Sequence, residues 1–260
     1  MQIKISYKKS LEENASDYFN LAKKAKKKLE GAKETLAKWE RKREDLLIKA
    51  EERKLEVQEK EVKVKRAKRW YHKFRWFKTS DEFLVVGGRD ATTNEAIIKK
   101  HCEPHDLVFH TDMAGSPFFV LKTEGKEPNK ATLQEVGDAT CTFSRAFKLN
   151  LGSQSVFYVK PEQVTKQALP GEYLQKGSFM IYGKTNYIEN HINLAVGITK
   201  DNEIMAGPEE SISKHCEKFI ILVQGNIKAS DTAKKIQKTL GGDLDEIIRA
   251  LPAGNFEIQA

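Results

Sequence analysis

Residues 69–95 read RWYHKFRWFKTSDEFLVVGGRDATTNE, and the architecture turns on what this stretch joins. Before it lies a Lys/Arg-rich segment free of proline. Within it stand two of the three tryptophans, Trp70 and Trp76, with Tyr71, Phe74 and Phe77. After it come an apolar run, a Gly-Gly corner and a helix-starting sequence. A basic arm meets a folded body here. The aromatic residues Tyr71, Phe74, Trp76 and Phe77 read as the hydrophobic joint between them.

Upstream, Leu11, Ala15, Tyr18, Ala22, Ala25, Leu29, Ala32, Leu36 and Trp39 follow one another at alternating spacings of 4 and 3. That is the a/d seam of a coiled coil, and its many alanines favour close packing against a partner helix. The register continues less cleanly through Leu46, Ala50, Val57, Val64, Ala67, Tyr71 and Phe74. Proline is absent between residues 8 and 78, and Gly31 is the single glycine of the helical stretch. The pattern predicts a helical arm over residues 10–73, roughly 95 Å long as one helix at about 1.5 Å per residue. A hairpin bent near residues 43–54 is the alternative. Before it, Ile3, Ile5 and Tyr7 alternate and predict a short strand within residues 1–9.

Downstream the texture is mixed. Strands are expected near 74–78, 83–88, 106–111, 117–122, 154–159, 178–182, 192–198 and 218–224, and helices near 92–102, 131–147, 209–215, 230–240 and 243–251. Thr92-x-x-Glu95 and Thr132-x-x-Glu135 have capping-box spacing. Strands do not alternate regularly with long helices, so residues 74–260 read as a mixed domain and the chain as α+β.

Charge separates the two parts. Residues 1–78 hold 25 Lys/Arg and 13 Asp/Glu, a net of +12, whereas residues 79–260 hold 20 and 24, a net of −4. A polyanion is therefore drawn to the arm and its root. The densest cations are Lys63, Lys65, Arg66, Lys68, Arg69, Lys73 and Arg75, interleaved with aromatic rings suited to stacking on unpaired bases. Lys160, Lys166, Lys176 and Lys184 decorate a later Pro/Gly-rich stretch and form a second candidate phosphate surface. No apolar run approaches the ~20 residues of a membrane span, and residues 1–30 carry no signal-peptide core, which places the protein in the cytoplasm. Three scattered cysteines, Cys102, Cys141 and Cys216, build no disulfide framework.

Candidate chemistry is sparse. GGRDATTNE is a strand–turn–helix corner in which Gly87 and Gly88 permit positive φ or close backbone approach. It is neither a dinucleotide fingerprint nor a P-loop. Arg89 and Asp90 read as an internal ion pair or as an RNA-facing corner. His101, Cys102, His105, His110 and Asp112 lie close in sequence but match no zinc module, so no metal and no cofactor are expected. His110 and Asp112 fall on one strand face and read as solvent-facing functional groups. Asp90, Asp112 and Lys122 could compose a metal-dependent nuclease, an alternative that competes with a protein-only coiled-coil adaptor.

Taken in order, NASDYF (14–19), WYHKFRWF (70–77), GGRDATTNE (87–95), FHTDMAGSPFFVLK (109–122), ATLQEVG (131–137), VFYVKPEQVTKQALPGEYLQKGSFMIYGKTNY (156–187) and LAVGI (194–198) resemble the NFACT-R domain and adjoining coiled coil of the RqcH/NEMF ribosome quality-control family, archaeal type. The resemblance implies a non-enzymatic protein that binds the large ribosomal subunit after it splits with peptidyl-tRNA attached. It implies tRNA recruitment, template-free C-terminal alanine tailing, and an arm reaching stalk-base proteins. RNA contact is then expected from the cations above together with Arg89, Asp90, His110 and Asp112. Two departures stand out: Ala114-Gly115 where the family often has His-Gly, and VQGNIKAS (223–230) in place of a Pro-Gly-Lys-like turn. Full-length relatives begin with an NFACT-N domain and an outgoing helix. This chain is expected to follow only the returning helix, as a piece of a longer protein or a separately encoded half. Its seam should then meet a partner helix or a second copy of itself.

Overall fold

The computed structural model describes the backbone at residues 3–62, 69–167 and 174–259, with side chains throughout except at 47–62. The chain divides into two compact units, Met1–Ala67 and Lys68–Ala260.

The first unit is one helix, α1 (Leu11–Val62), 52 residues and about 78 Å long. It runs through residues 43–54 without a bend, so the hairpin alternative falls away. A capping box starts it: Ser10 Oγ accepts from Glu13 N, and Glu13 Oε2 accepts from Ser10 N. The expected strand in residues 1–9 is not formed over the described residues 3–9, which are irregular and then turn. Their backbone groups bond to the helix instead: Asn14 Oδ1 accepts from Ser6 N, Asn14 Nδ2 donates to Ser6 O, and Tyr18 Oη donates to Lys4 O. All nine seam residues are exposed, with Leu29 at 57%, Leu36 at 60% and Trp39 at 61%.

Helical geometry does not continue to residue 73. Arg69 is extended, Trp70–Lys73 form a 3-10 turn, and Phe74 is extended again. The tighter turn puts Tyr71 and Phe74 inward, at 6% and 0% exposure.

The second unit is built on a six-stranded antiparallel sheet, β1-β2-β4-β3-β5-β8. Its strands are β1 (Arg75–Lys78), β2 (Leu84–Gly87), β3 (Leu107–Thr111), β4 (Phe119–Lys122), β5 (Val156–Val159) and β8 (Asn186–Ile188). The four central strands, β2, β4, β3 and β5, are largely buried on both faces, which is why they read as apolar runs. Successive residues point to opposite sides. Phe77, Val85, Phe109, Phe119, Leu121 and Val156 join one core; Phe74, Val86, Val108, Val120 and Phe157 join another.

The second core is roofed by the 3-10 turn and by α2 (Ala91–Lys100), with flanking residues from β6 (Val164–Thr165) and β7 (Met180–Ile181), which pair as a small ribbon. The first core lies under α3 (Lys130–Thr142), α4 (Arg145–Lys148) and a four-stranded sheet, β10-β9-β11-β12. That sheet comprises β9 (Ala195–Thr199), β10 (Ile204–Gly207), β11 (Cys216–Lys228) and β12 (Asn255–Ile258), with α5 (Glu209–His215), α6 (Ala229–Leu240) and α7 (Leu244–Ala250) packed around it.

The expected helix 131–147 is broken. Ser144 caps α4, accepting from Ala146 N and donating to Cys141 O, while Phe143 turns inward toward Phe119. Strands β6, β8, β10 and β12 carry no signal of their own length; pairing with neighbours makes them. The expected capping boxes also move. Asp90 caps α2 and Asn129 caps α3. Glu135 is buried and accepts from Ser80 N and Ser211 Oγ, and Thr132 Oγ1 donates to Asp81.

An open seam of this length costs roughly 25 cal/mol per Å² of exposed apolar area. The chain is expected to associate through residues 11–39, giving a concentration-dependent mass in analytical ultracentrifugation. Leu29→Asp with Leu36→Asp should reduce it to a monomer while residues 79–260 keep their near-ultraviolet circular dichroism.

Candidate nucleic-acid interface

The corner after β2 explains its two glycines by close approach, not by positive φ. A Cβ on Gly87 would overlap the Phe119 ring, and one on Gly88 would overlap Asn94 Oδ1. That oxygen is needed where it is, accepting from Phe118 N. The corner thereby ties α2 to β4.

Arg89 and Asp90 do not form an ion pair with each other. Arg89 donates to Phe74 O at 2.7 Å and His72 O at 3.4 Å, tying the 3-10 turn to the α2 corner. Burial, with the charge of Arg249 adding to it, pushes its guanidinium below the ordinary arginine value. Asp90 accepts from Thr93 N at 2.8 Å, while Thr93 Oγ1 accepts from Asp90 N. Those backbone bonds hold its carboxyl below the usual aspartate range. Arg75 is more deeply enclosed: it donates to Gly88 O, lies over the Phe143 ring at 5.2 Å, and is pushed down to about 10 by burial and then by Arg89. These arginines hold the joint together and offer little to a phosphate.

Lys63, Lys65, Arg66 and Lys68 lie outside the described residues. Arg69 is partly engaged, donating to Tyr71 Oη and pairing with Asp201 at 3.3 Å. His72 pairs with Glu203 at 3.2 Å. Lys73 is exposed, its ammonium over the Phe74 ring at 4.9 Å.

The second lysine group divides likewise. Lys166 bridges Glu95 at 2.7 Å, Gln175 O and the Phe179 ring. Lys176 is exposed, and its charge helps hold Asp90 and Glu95 ionised. Lys160 and Lys184 are exposed on the loops that Gln163 closes. Lys166 and Lys176 therefore flank α2, whereas Lys160 and Lys184 sit beyond the β6–β7 ribbon.

His110 is half-buried rather than fully solvent-facing. It stacks on Phe118 at 4.1 Å, with Nε2 3.2 Å from Ser116 O, and burial keeps its pKa low. Asp112 is exposed and accepts from Tyr187 Oη. The nuclease trio is not assembled. Asp90 and Asp112 follow the C-terminal ends of β2 and β3, whereas Lys122 faces Leu84 and sits beside the start of β3, at the other end of the sheet.

Lys122 is occupied by Asp106 at 2.5 Å and Glu103 at 3.3 Å. Glu103, His105 and Asp106 converge closely enough to resemble a metal site, and the Lys122 ammonium already pairs with both of its carboxylates. The three thiols are inert as well: burial pushes Cys102 and Cys141 up to about 12 and Cys216 up to about 11.

Sequence reasoning weighed His101 only as part of a cluster that matches no zinc module, and passed over Lys99 and Lys100. In the structure His101 stacks on Trp70, with Lys99 and Lys100 in the turn before it. The one available signal was a Lys-Lys-His run at a helix end.

Residues 73–183 match the family described as NFACT protein RNA binding domain. The chain is 40% identical over 203 residues to the archaeal Rqc2 homolog aRqcH of Methanocaldococcus jannaschii, covering 75% of this chain and 30% of that protein. It is 35% identical over 182 residues to the ribosome quality control complex subunit NEMF of Homo sapiens, covering 67% of this chain and 16% of that protein. The chain thus spans less than a third of the length of these relatives.

Two outcomes separate structural from available charge. Arg89→Ala should cost about 1.5–3 kcal/mol in chemical denaturation, because it removes charge-assisted bonds to two carbonyls, whereas Lys73→Glu should leave stability within about 0.5 kcal/mol. Asp90→Ala should cost about 1 kcal/mol at neutral pH. The folded value of Asp90 is lowered, so its contribution is present above the ordinary value of 3.8 and is lost as pH falls through the folded value. Asp90→Asn should keep most of the cap and lose that acid-range slope.

Proposed function

This chain belongs to the RqcH/NEMF ribosome quality-control family, archaeal type, and on that premise we propose that it is an RNA-binding part of a factor that rescues stalled peptidyl-tRNA on the large ribosomal subunit. The observation that carries the reading is the RNA-binding domain match over residues 73–183, beginning at the root of a segment of net +12. Its part in the reaction is to bind and position, in support of template-free C-terminal alanine tailing; the chain itself is not the catalyst. Its partners are large-subunit RNA, peptidyl-tRNA and stalk-base proteins in the cytoplasm. The exposed seam of α1 takes a helix from an NFACT-N-containing half or from a second copy. Among the described residues no helix is long and apolar enough to cross a membrane.

The adaptor alternative draws on the same open seam and differs in one respect: it needs no RNA affinity. The nuclease alternative loses its basis, because Asp90, Asp112 and Lys122 are held apart by the sheet register.

Co-sedimentation with purified large subunits across a salt series tests the reading. The wild-type chain is expected to pellet with the subunits at low salt and to release steeply as salt rises. Changing Lys65, Arg66, Lys68 and Arg69 together to Glu should weaken binding and flatten the log–log salt slope by about two to four units. Absence of RNA affinity at low salt would leave the adaptor. Mg²⁺-dependent RNA cleavage abolished by Asp112→Ala would restore the nuclease.

A further inference from the structure

Trp70 is placed unlike its neighbours. Tyr71, Phe74 and Phe77 are buried, but Trp70 is left 41% exposed. It is nevertheless held in a fixed pose. Its ring stacks on the His101 imidazole with centroids 4.3 Å apart and planes 13° from parallel, and Tyr71 and Phe74 meet it near-perpendicularly at 5.7 and 6.2 Å. The indole is thus in contact with three rings while part of its surface stays open.

His101 is itself fixed. It ends α2, donating its backbone N–H to Ile97 O, and its carbonyl accepts from Lys122 Nζ at 3.0 Å. Burial first, then the charges of Lys73, Lys122 and Lys100, hold its pKa below the ordinary value. The imidazole is therefore neutral at pH 7, and the positive charge surrounds the stack without residing in it. Lys122 is consumed by Asp106 and Glu103, and Lys99 is shared with Glu95. Lys100 and Lys73 are exposed, with no carboxylate at ion-pair distance among the described residues. Part of the Lys100 charge offsets the negative end of the α2 dipole; Lys73 comes from another element and is surplus.

We infer that Trp70, backed by His101, is a stacking platform for one unpaired base of single-stranded or looped RNA, with Lys73 and Lys100 taking the adjoining phosphates. Flat rings flanked by unpaired ammonium groups match what a nucleotide presents, a π-face and an anion a few ångströms away. Duplex RNA does not fit, because its base faces are covered. The inference rests on the RNA-binding reading and gives it a location.

The test compares a 12-nucleotide oligouridine with an abasic strand of the same length, on the full chain. Trp70→Ala should weaken oligouridine binding about 5- to 100-fold while leaving abasic-strand affinity within twofold. Trp70→Phe should recover most of the loss. Lys73→Glu with Lys100→Glu should weaken both strands and lower both salt slopes. Photocrosslinking of a 5-bromouridine strand to the unaltered chain, mapped by mass spectrometry, guards against a misfolded Trp70→Ala variant and should label the peptide containing Trp70. Tight oligouridine binding with crosslinks confined elsewhere, or with Trp70→Ala unchanged, overturns the platform and leaves the RNA-binding reading intact. Failure of the wild-type chain to bind either strand at low salt overturns both.

Discussion

Phe74 and Phe77 leave the same short segment toward opposite faces of the six-stranded sheet, and both are fully buried. The rest of the second unit depends on that division. A sheet buried on both sides needs two covers, and residues 69–78 serve both: the 3-10 turn roofs one core while β1 supplies the sheet edge and Phe77 reaches the other. Truncating a fully buried phenylalanine typically costs about 3–5 kcal/mol, so either ring alone is a large share of a domain's stability. The chain enters its folded body through a segment that contributes to both cores.

The same joint sorts the positive charges. Arg89 lies close enough to Arg75 to add to the burial that pushes its guanidinium down, and both arginines donate to backbone carbonyls, Arg75 to Gly88 O and Arg89 to Phe74 O. Guanidinium suits this use, because its planar fork satisfies several acceptors while staying charged. Lysines on the surrounding surface remain as free ammonium groups or are balanced by single carboxylates, as Lys166 is by Glu95. The cations nearest the centre of the joint are thus engaged in holding it closed, while Lys73, Lys100 and Lys176 around it are exposed.

Much of the architecture could be read in advance. Seven of the eight expected strands overlap strands of the two large sheets, and 178–182 overlaps β7; the five expected helices all appear, one of them broken at Ser144. Period-2 patterning and glycine punctuation carry these because they are local. Short strands such as β10 were silent, since four residues reading IMAG acquire strand geometry only from pairing with β9. Caps were placed two or three residues late: Thr92-x-x-Glu95 and Thr132-x-x-Glu135 have the right spacing, but Asp90 and Asn129 reach the free N–H groups first. The short N-terminal alternation misled as well, because the backbone there bonds to Asn14 and Tyr18 of the helix.

What the sequence determined by itself was the division into a basic helical segment and an α+β body, and the family. Each is written in composition, spacing or an ordered set of motifs along the chain. Only the tertiary structure decided which cations are free and which aromatics are open. His110 was stacked against Phe118, Lys122 was claimed by Asp106, and Trp70 was held at the surface by His101, thirty-one positions later in the chain. A side chain's availability depends on burial and on partners brought from distant segments, and neither is encoded in the residues beside it.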